Sequence, residues 1–311
     1  MPEKVFISYR HTDGPWVWGR LKPVLEAGGL EVLIDIERFR AGVELFQQMD
    51  DLQDQADCQL LVVSEPYLKS PSCKHEMHRA IESDPDFQSG KVILVRIDDA
   101  KWPRKLTQPN PLYAFMKDDS QPNAWDALLR GLEIDLGVSP AEWLRARDEI
   151  VQLMERGLSV NLVCEPDAAW RALLQHLQTA EHPQTLLPDL RIVDLESAKT
   201  ASRRGLLQQI VKHCGYAGSL PQPPEDLVAF GGFVEELPFL RLALEHFDMA
   251  APNLRGEIYG VDFFAALRHL MMNERKLALV AHSRQPFAAI LPQDHPLSHI
   301  DIKAVKLRKR V

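Results

Sequence analysis

A carboxylate in the stretch Leu68–Ile81 is the side chain of this sequence best placed to do chemistry. The stretch follows an apolar run, and Ser70 can cap a helix whose first position suits Pro71. Apolar residues then recur along one face of this predicted helix, and Glu76 lies beside that face in the second turn. Open α/β sheets place reactive groups near the carboxyl ends of their parallel strands. We therefore predict that Glu76 is catalytic.

The composition narrows the class of protein. The chain has 311 residues, 45% hydrophobic and 26% charged, which is typical of a globular protein with room for two domains. The net charge of -8 argues against a protein whose overall electrostatic field attracts nucleic acid or membranes. No apolar run approaches the roughly 18 residues that a membrane-spanning helix needs. With no apolar signal segment and four cysteines that form no CxxC pair, we expect a cytoplasmic protein with reduced thiols.

The first half of the chain alternates strands with helices. The predicted strands are Lys4–Tyr9, Leu30–Asp35, Cys58–Ser64 and Lys91–Ile97. A helix over Trp16–Ala27 follows the first strand, residues 99–121 look irregular, and Ala124–Leu132 closes the region. Such alternation predicts a parallel sheet with right-handed crossovers, and we expect a flavodoxin-like strand order.

Three motifs in this half together resemble a Toll/interleukin-1 receptor (TIR) domain, over about residues 3–136. They are Val5–Arg10, Leu33–Asp35 with a loop ending at Gly42, and Leu61–Glu76. Some TIR domains are adaptors that only bind other TIR domains, whereas others hydrolyse or cyclise NAD. The enzymatic group carries a glutamate in the helix after the third strand, at the place of Glu76. The resemblance therefore implies an NAD-cleaving enzyme, with a non-catalytic adaptor as the alternative.

One carboxylate suits this reaction. Breaking the nicotinamide–ribose bond builds positive charge on the ribose, as in glycoside hydrolysis. Nicotinamide is already a cationic leaving group and needs no general acid. An anion beside the ribose can bind its hydroxyls and stabilise the developing charge. The simpler interpretation is that Glu76 is a solvated helix residue.

The resemblance also implies residues that bind the substrate. Ser8, Tyr9 and Arg10 close the first strand, with Arg10 as a phosphate or ribose partner and Tyr9 as a stacking surface. Asp35 and Arg38 flank the loop after the second strand, which lines the site and mediates assembly in TIR domains. Tyr9 could equally lie at the edge of the core, and Arg10 and Asp35 could pair with each other or with surface charges.

We expect no cofactor and no metal, with NAD as the substrate. Cys73, His75 and His78 invite a metal interpretation, but the helical phase turns Cys73 to the core. The two histidines are three residues apart and lack a further ligand at a usual spacing.

The second half resembles a P-loop ATPase of the AAA/STAND type that has lost its phosphate loop. We divide the chain into a TIR domain over 1–136, a linker helix over 137–156 and a second α/β domain over 157–311. The pattern G-x-x-x-x-G-K-[ST] is replaced at all four key positions, which are Cys164, Ala169, Trp170 and Arg171. After a later strand, an ATPase carries an Asp-Glu pair that serves magnesium and the attacking water. This chain has Glu245 and His246 at that place. Without these groups phosphoryl transfer has no route, so we predict a regulatory or oligomerisation domain.

The resemblance implies a bacterial effector of anti-phage defence. By the resemblance, TIR domains self-associate and cleave NAD once a partner protein or ligand acts on the C-terminal domain. NAD depletion would then arrest or kill the infected cell. The basic end from Lys303 to Arg310 is more typical of a solvated terminus than of a nucleic-acid site. The trigger, the oligomer and the choice between hydrolysis and cyclisation stay open.

Overall fold

A computed structural model of the chain describes residues 2–34, 44–108, 113–116, 122–164, 169–179, 186–222, 225–300 and 302–307. It divides into two compact units, Met1–Leu144 and Arg145–Val311. The division falls inside the helix that the sequence analysis placed between two domains. Each unit is built on a parallel sheet, so the predicted class of two α/β domains is confirmed.

The sheet of the first unit has the predicted flavodoxin-like order. Its strands are β1 (Lys4–Ser8), β2 (Glu31–Leu33), β3 (Cys58–Val63), β4 (Val92–Arg96) and β5 (Tyr113–Phe115). Among the described residues they pair in parallel in the order β2-β1-β3-β4-β5. In this order the chain reverses its direction of progression at β1 and β3, and ligands of open α/β sheets bind at such a switch point.

Helices connect these strands much as the periodicity predicts. They are α1 (residues 14–27), α2 (Leu45–Asp54), α3 (Glu65–Lys69), α4 (Pro71–Ser83), α5 (Arg104–Thr107), α6 (Pro122–Gly131) and α7 (Pro140–Glu155), of which α7 crosses the unit boundary. Helix α1 starts before the predicted Trp16 because Pro15 suits a first helical turn. It ends before Gly29, whose φ of 89° favours glycine.

The region that we expected to be irregular contains α5 and the edge strand β5. Residues 109–112 and 117–121 around β5 lie outside the described part of the chain. Strand β5 has three residues, too few for an alternating pattern to show in the sequence, and it is defined by its pairing with β4. The prediction missed it because its partner is distant in the sequence.

Buried apolar side chains fill the space between this sheet and its helices. One cluster joins β3, β4, α3, α4 and α5 and includes Leu61, Tyr67, Cys73, Met77 and Leu94. No disulfide joins the four cysteines, all of which lie within the described residues. Burial raises the pKa of Cys58 to about 12, which keeps that thiol protonated and poorly nucleophilic.

The second unit holds another parallel sheet. Its strands are β6 (Val160–Cys164), β7 (Leu190–Asp194), β8 (Leu240–Glu245), β9 (Leu277–Ser283) and β10 (Lys303–Leu307). They lie in the order β10-β6-β9-β8-β7 within the described residues.

Helices again cover the sheet of the second unit. They are α8 (Trp170–Thr179), α9 (Arg203–His213), α10 (Glu225–Glu236), α11 (Val261–Met272) and α12 (Phe287–Ile290). Residues 165–168 of the altered phosphate loop and the basic residues 308–310 lie outside the described residues. No helix in the part of the chain that the structure describes has the length and apolarity to cross a membrane.

Candidate functional site

The carboxyl edge of the first sheet gathers the predicted site residues. Ser8 is the last residue of β1, and Ser64 directly follows the neighbouring strand β3. The Ser64 hydroxyl accepts a hydrogen bond from the backbone N–H of Tyr67 at 3.1 Å and so starts helix α3. Because parallel strands end at one edge of a sheet, both serines lie at that edge.

Helix α4 starts at this edge with the capping residues expected from the sequence. Ser70 is the N-cap, and its hydroxyl accepts from the backbone N–H of Cys73 at 3.4 Å. Pro71 takes the first helical position. The buried face of the helix includes Glu76 as well as its apolar residues, so the carboxylate is held inside the packed face rather than beside it.

Glu76 accepts a short hydrogen bond inside the protein. Its side chain is 4% exposed, and the Ser8 hydroxyl donates to its Oε2 at 2.5 Å. The Ser8 oxygen also lies 2.8 Å from the hydroxyl of Tyr67, which is fully buried. Burial, and next the charge of Glu76, raise the pKa of Tyr67 well above its usual value. Tyr67 therefore stays protonated and donates to Ser8, which donates in turn to Glu76.

This chain of hydroxyls excludes the interpretation of Glu76 as a solvated helix residue. Gln53 adds a contact, since its Nε2 donates to the backbone oxygen of Glu76 at 3.1 Å. Sequence reasoning missed Tyr67 and Gln53. Tyr67 occurs in the motif Leu61–Glu76, but its distance of 59 residues from Ser8 hides the pairing.

Tyr9 and Arg10 occupy different environments at the same edge. The Tyr9 ring is 6% exposed, and the indole N–H of Trp18 donates to its hydroxyl at 3.0 Å. This ring therefore has little surface on which a substrate could stack. Arg10 is half-buried, and its Nη1 donates to the hydroxyl of Ser70 at 3.4 Å. Its positive charge thus lies at the start of α4, where helix dipoles also favour anions.

Asp13 is a further acid at this edge that the sequence analysis did not select. The Ser64 hydroxyl donates to its Oδ2 at 2.6 Å. The pKa of Asp13 is raised, mainly by burial and further by the charge of Asp98. The hydrogen bond from Ser64 and the contacts with Arg10 lower this pKa but do not offset the burial. A short polar loop after a strand is the only sequence signal that points to it.

Asp35 and Arg38 are the remaining predicted site residues. Asp35, Arg38 and the rest of the loop up to Gly42 lie outside the described residues. His75 pairs with Asp50, at 2.9 Å between Nε2 and Oδ1.

Replacing Ser8 by alanine is expected to destabilise the first unit by about 1.5–3 kcal/mol, because a buried carboxylate loses a charge-assisted hydrogen bond. Replacing Tyr67 by phenylalanine should cost about 1 kcal/mol, since a neutral bond is lost and Ser8 still donates to Glu76. Hydrogen exchange of α4 in the full chain measures both effects. Equal protection in wild type and Ser8→Ala would contradict the hydroxyl chain.

The second sheet also brings polar side chains to its carboxyl edge. Glu245 ends β8, and His246 follows in a left-handed conformation with φ of 55° and ψ of 48°. The ring of Trp170 stacks on that of His282, with 3.5 Å between their centroids. Burial lowers the pKa of His282 to about 3, so this imidazole is neutral. Sequence reasoning did not connect Trp170 with His282.

Comparisons with known proteins assign the first unit. The TIR domain family matches residues 5–129. The TIR domain of the Toll-related receptor TRR-2 from Hydra magnipapillata aligns with 42% of this chain and 97% of its own, at 22% identity and a TM-score of 0.36.

Two other structures align over longer parts of the chain. The Drosophila ORC bound to DNA covers 55% of this chain and 90% of its own, at 14% identity and a TM-score of 0.37. The Walker-type ATPase of Pyrococcus abyssi covers 52% of each chain, at 15% identity and a TM-score of 0.34. The family match and the flavodoxin-like sheet agree on the first unit, and the chain therefore contains a TIR domain at residues 5–129.

Proposed function

We propose that the TIR domain cleaves the nicotinamide–ribose bond of NAD and that Glu76 is its catalytic carboxylate. The observation that carries this proposal is the Glu76 carboxylate at the switch point of the sheet, oriented by the Ser8 hydroxyl. A fixed anion stabilises the positive charge that develops on the ribose as the bond breaks. Water then attacks to give hydrolysis, or the adenine of the substrate attacks to give cyclisation.

Arg10 is the substrate-binding residue that the geometry supports best. Its guanidinium contacts Ser70 at the start of α4, where a helix N-terminus and a cation together suit a pyrophosphate. Ser8 acts through Glu76, because it is 1% exposed and donates to that carboxylate. Asp35 and Arg38 stay in the proposal on the resemblance alone.

The burial of Glu76 implies that catalysis needs a second conformation. With 4% of the side chain exposed, a ribose cannot reach the carboxylate unless neighbouring groups move. We propose that self-association of TIR domains favours the open conformation, which makes activity dependent on assembly. An effector that depletes NAD must be inactive until it is triggered, and a closed resting site provides this.

The second unit is proposed to regulate that assembly without hydrolysing ATP. Trp170 and Arg171 stand where a P-loop ATPase carries lysine and a hydroxyl, and Trp170 is packed against His282. A partner protein or ligand acting on this unit would start NAD depletion in anti-phage defence. Magnesium-dependent ATP turnover by the purified chain would contradict this role.

The test is nicotinamide release from NAD by the full chain. Activity is measured over a wide range of protein concentrations, with and without a crowding agent. We expect specific activity to rise with concentration, because assembly opens the site, and chromatography of the products distinguishes hydrolysis from cyclisation. Specific activity independent of concentration would contradict control by assembly.

An adaptor that only recruits another TIR protein is the second candidate function. The burial of Glu76 favours the adaptor, since a carboxylate without access to substrate can have a purely structural role. Self-association without nicotinamide release under every clustering condition would support the adaptor and contradict the proposed enzyme.

A further inference from the structure

Three potential metal ligands converge at the carboxyl edge of the second sheet. This sheet belongs to the second unit, whereas the proposed NAD site belongs to the first. Asp194 ends β7 and pairs in register with Glu245, which ends β8 and precedes His246. One ligand atom from each residue lies within 4.8 Å of the others. The closest pair is His246 Nδ1 and Asp194 Oδ1, at 2.8 Å. This spacing lets a single ion contact all three.

The surroundings orient the imidazole of His246 as they do in metal sites. If Nδ1 binds an ion, the other ring nitrogen should face a carboxylate, because such a partner fixes the tautomer of a ligating histidine. Nε2 of His246 lies 3.7 Å from Oε2 of Glu196. The backbone N–H of His246 donates to His282 Nδ1 at 3.2 Å, and Trp170 packs edge-on against the His246 ring. The ring is thus held from several sides.

The charges at this edge favour a cation. Asp194, Glu196 and Glu245 contribute three carboxylates, and the side chain of Glu245 is 8% exposed. Arg171 provides a compensating charge, but its Nη2 is 3.5 Å from Glu245 Oε2 and its side chain is 52% exposed. Arg255, another guanidinium at this edge, donates to backbone oxygens from Leu195 to Ser197. A buried carboxylate whose guanidinium partner is about half exposed gains from a closer cation.

We propose that Asp194, Glu245 and His246 form a binding site for a divalent transition-metal ion, with Zn²⁺ as the expected ion. Two carboxylates and one imidazole are zinc ligands, and three protein ligands leave a fourth position open for water or another group. Magnesium prefers oxygen ligands alone. The site therefore differs from the magnesium site of an ATPase, needs no nucleotide, and does not depend on the proposed NAD cleavage.

This assignment departs from the expectation of no metal site. Asp194 and His246 are 52 residues apart and no spacing motif links them. Bound metal would join the ends of β7 and β8 and so couple the contact between these neighbouring strands to metal availability.

Zinc binding to the full chain tests the proposal. The protein is stripped with a chelator, dialysed against a series of Zn²⁺ concentrations, and its metal content is measured by mass spectrometry. We expect one equivalent of tight binding that is lost in His246→Asn, since asparagine tolerates the left-handed backbone. Glu196→Gln should bind about 10–100-fold more weakly through loss of the carboxylate behind His246. Arg171→Met should bind more tightly, because a competing cation is removed.

His269→Gln is the matched control, because His269 is an exposed histidine whose Nε2 lies 3.1 Å from Glu274. It should keep the full equivalent. Visible absorption of the Co²⁺-loaded protein gives a second measurement, with strong bands expected in wild type and not in Asp194→Asn. Asp194 is 37% exposed in its side chain, so this variant should fold even if His246→Asn does not. Equal Zn²⁺ binding by wild type and both ligand variants, or no tight binding by wild type, would overturn the proposal.

Discussion

Replacing Glu76 by glutamine is expected to lower NAD cleavage by about 10³-fold, the upper end of the effect of removing one group that stabilises a transition-state charge. Glutamine keeps the shape of the side chain, and its amide oxygen can still accept from Ser8. What it loses is the negative charge that, in the proposed mechanism, faces the ribose as nicotinamide leaves. Nicotinamide release under the most active clustering condition measures the effect.

Glu82→Gln is the control for this substitution. Glu82 lies on the same helix α4 but is exposed, so its removal should leave cleavage within a factor of about two. Hydrogen exchange of α4 shows whether Glu76→Gln remains folded. A folded Glu76→Gln protein with activity close to that of wild type would show that another group performs the chemistry.

The largest expected loss of stability follows from replacing Arg203 in the second unit. Its Nε contacts Oδ2 of Asp226 at 3.3 Å, and the side chain of Asp226 is completely buried. The second oxygen of Asp226, Oδ1, has no hydrogen-bond partner among the described residues. Arg203→Met keeps an apolar stem but leaves this carboxylate without its cation, which should cost about 3–5 kcal/mol. Urea unfolding of the full chain measures the loss.

The same arginine provides its own comparison. Its Nη1 contacts Asp262 Oδ2 at 2.7 Å, and the Asp262 side chain is 59% exposed. Asp262→Ala should therefore cost about 0–1 kcal/mol, since water screens an exposed pair. If Asp262→Ala were as destabilising as Arg203→Met, burial of Asp226 would not be the cause. Hydrogen exchange assigns the loss to α9 and α10.

The parts of the first unit that follow from neighbouring residues were predicted well. Ser70 and Pro71 indicate the start of α4. In the structure Ser70 is the N-cap and Pro71 takes the first helical position, as expected. The alternation of apolar strands with amphipathic helices indicated a parallel sheet, and the order β2-β1-β3-β4-β5 confirms the flavodoxin-like arrangement. Strand β5 was missed because three residues carry no pattern of their own.

The environment of Glu76 could not be read from its own helix. The apolar pattern placed it at the border of the buried face, and either exposure or burial fitted that position. Packing against β1 decides between them, because it brings Ser8, 68 residues away, to 2.5 Å from the carboxylate. The pairing of Asp194 with His246 is hidden in the same way.

The sequence by itself determined most of the helix and strand pattern and the class of both domains, and it selected Glu76 as the candidate catalytic residue. Caps and periodic apolar faces act between residues a few positions apart, so they are visible in a single stretch of chain. Tertiary structure alone decided which polar groups are buried and what contacts them. Hydrogen bonds such as that of Ser8 to Glu76 depend on strand order and helix packing, which bring distant residues together at one edge of a sheet.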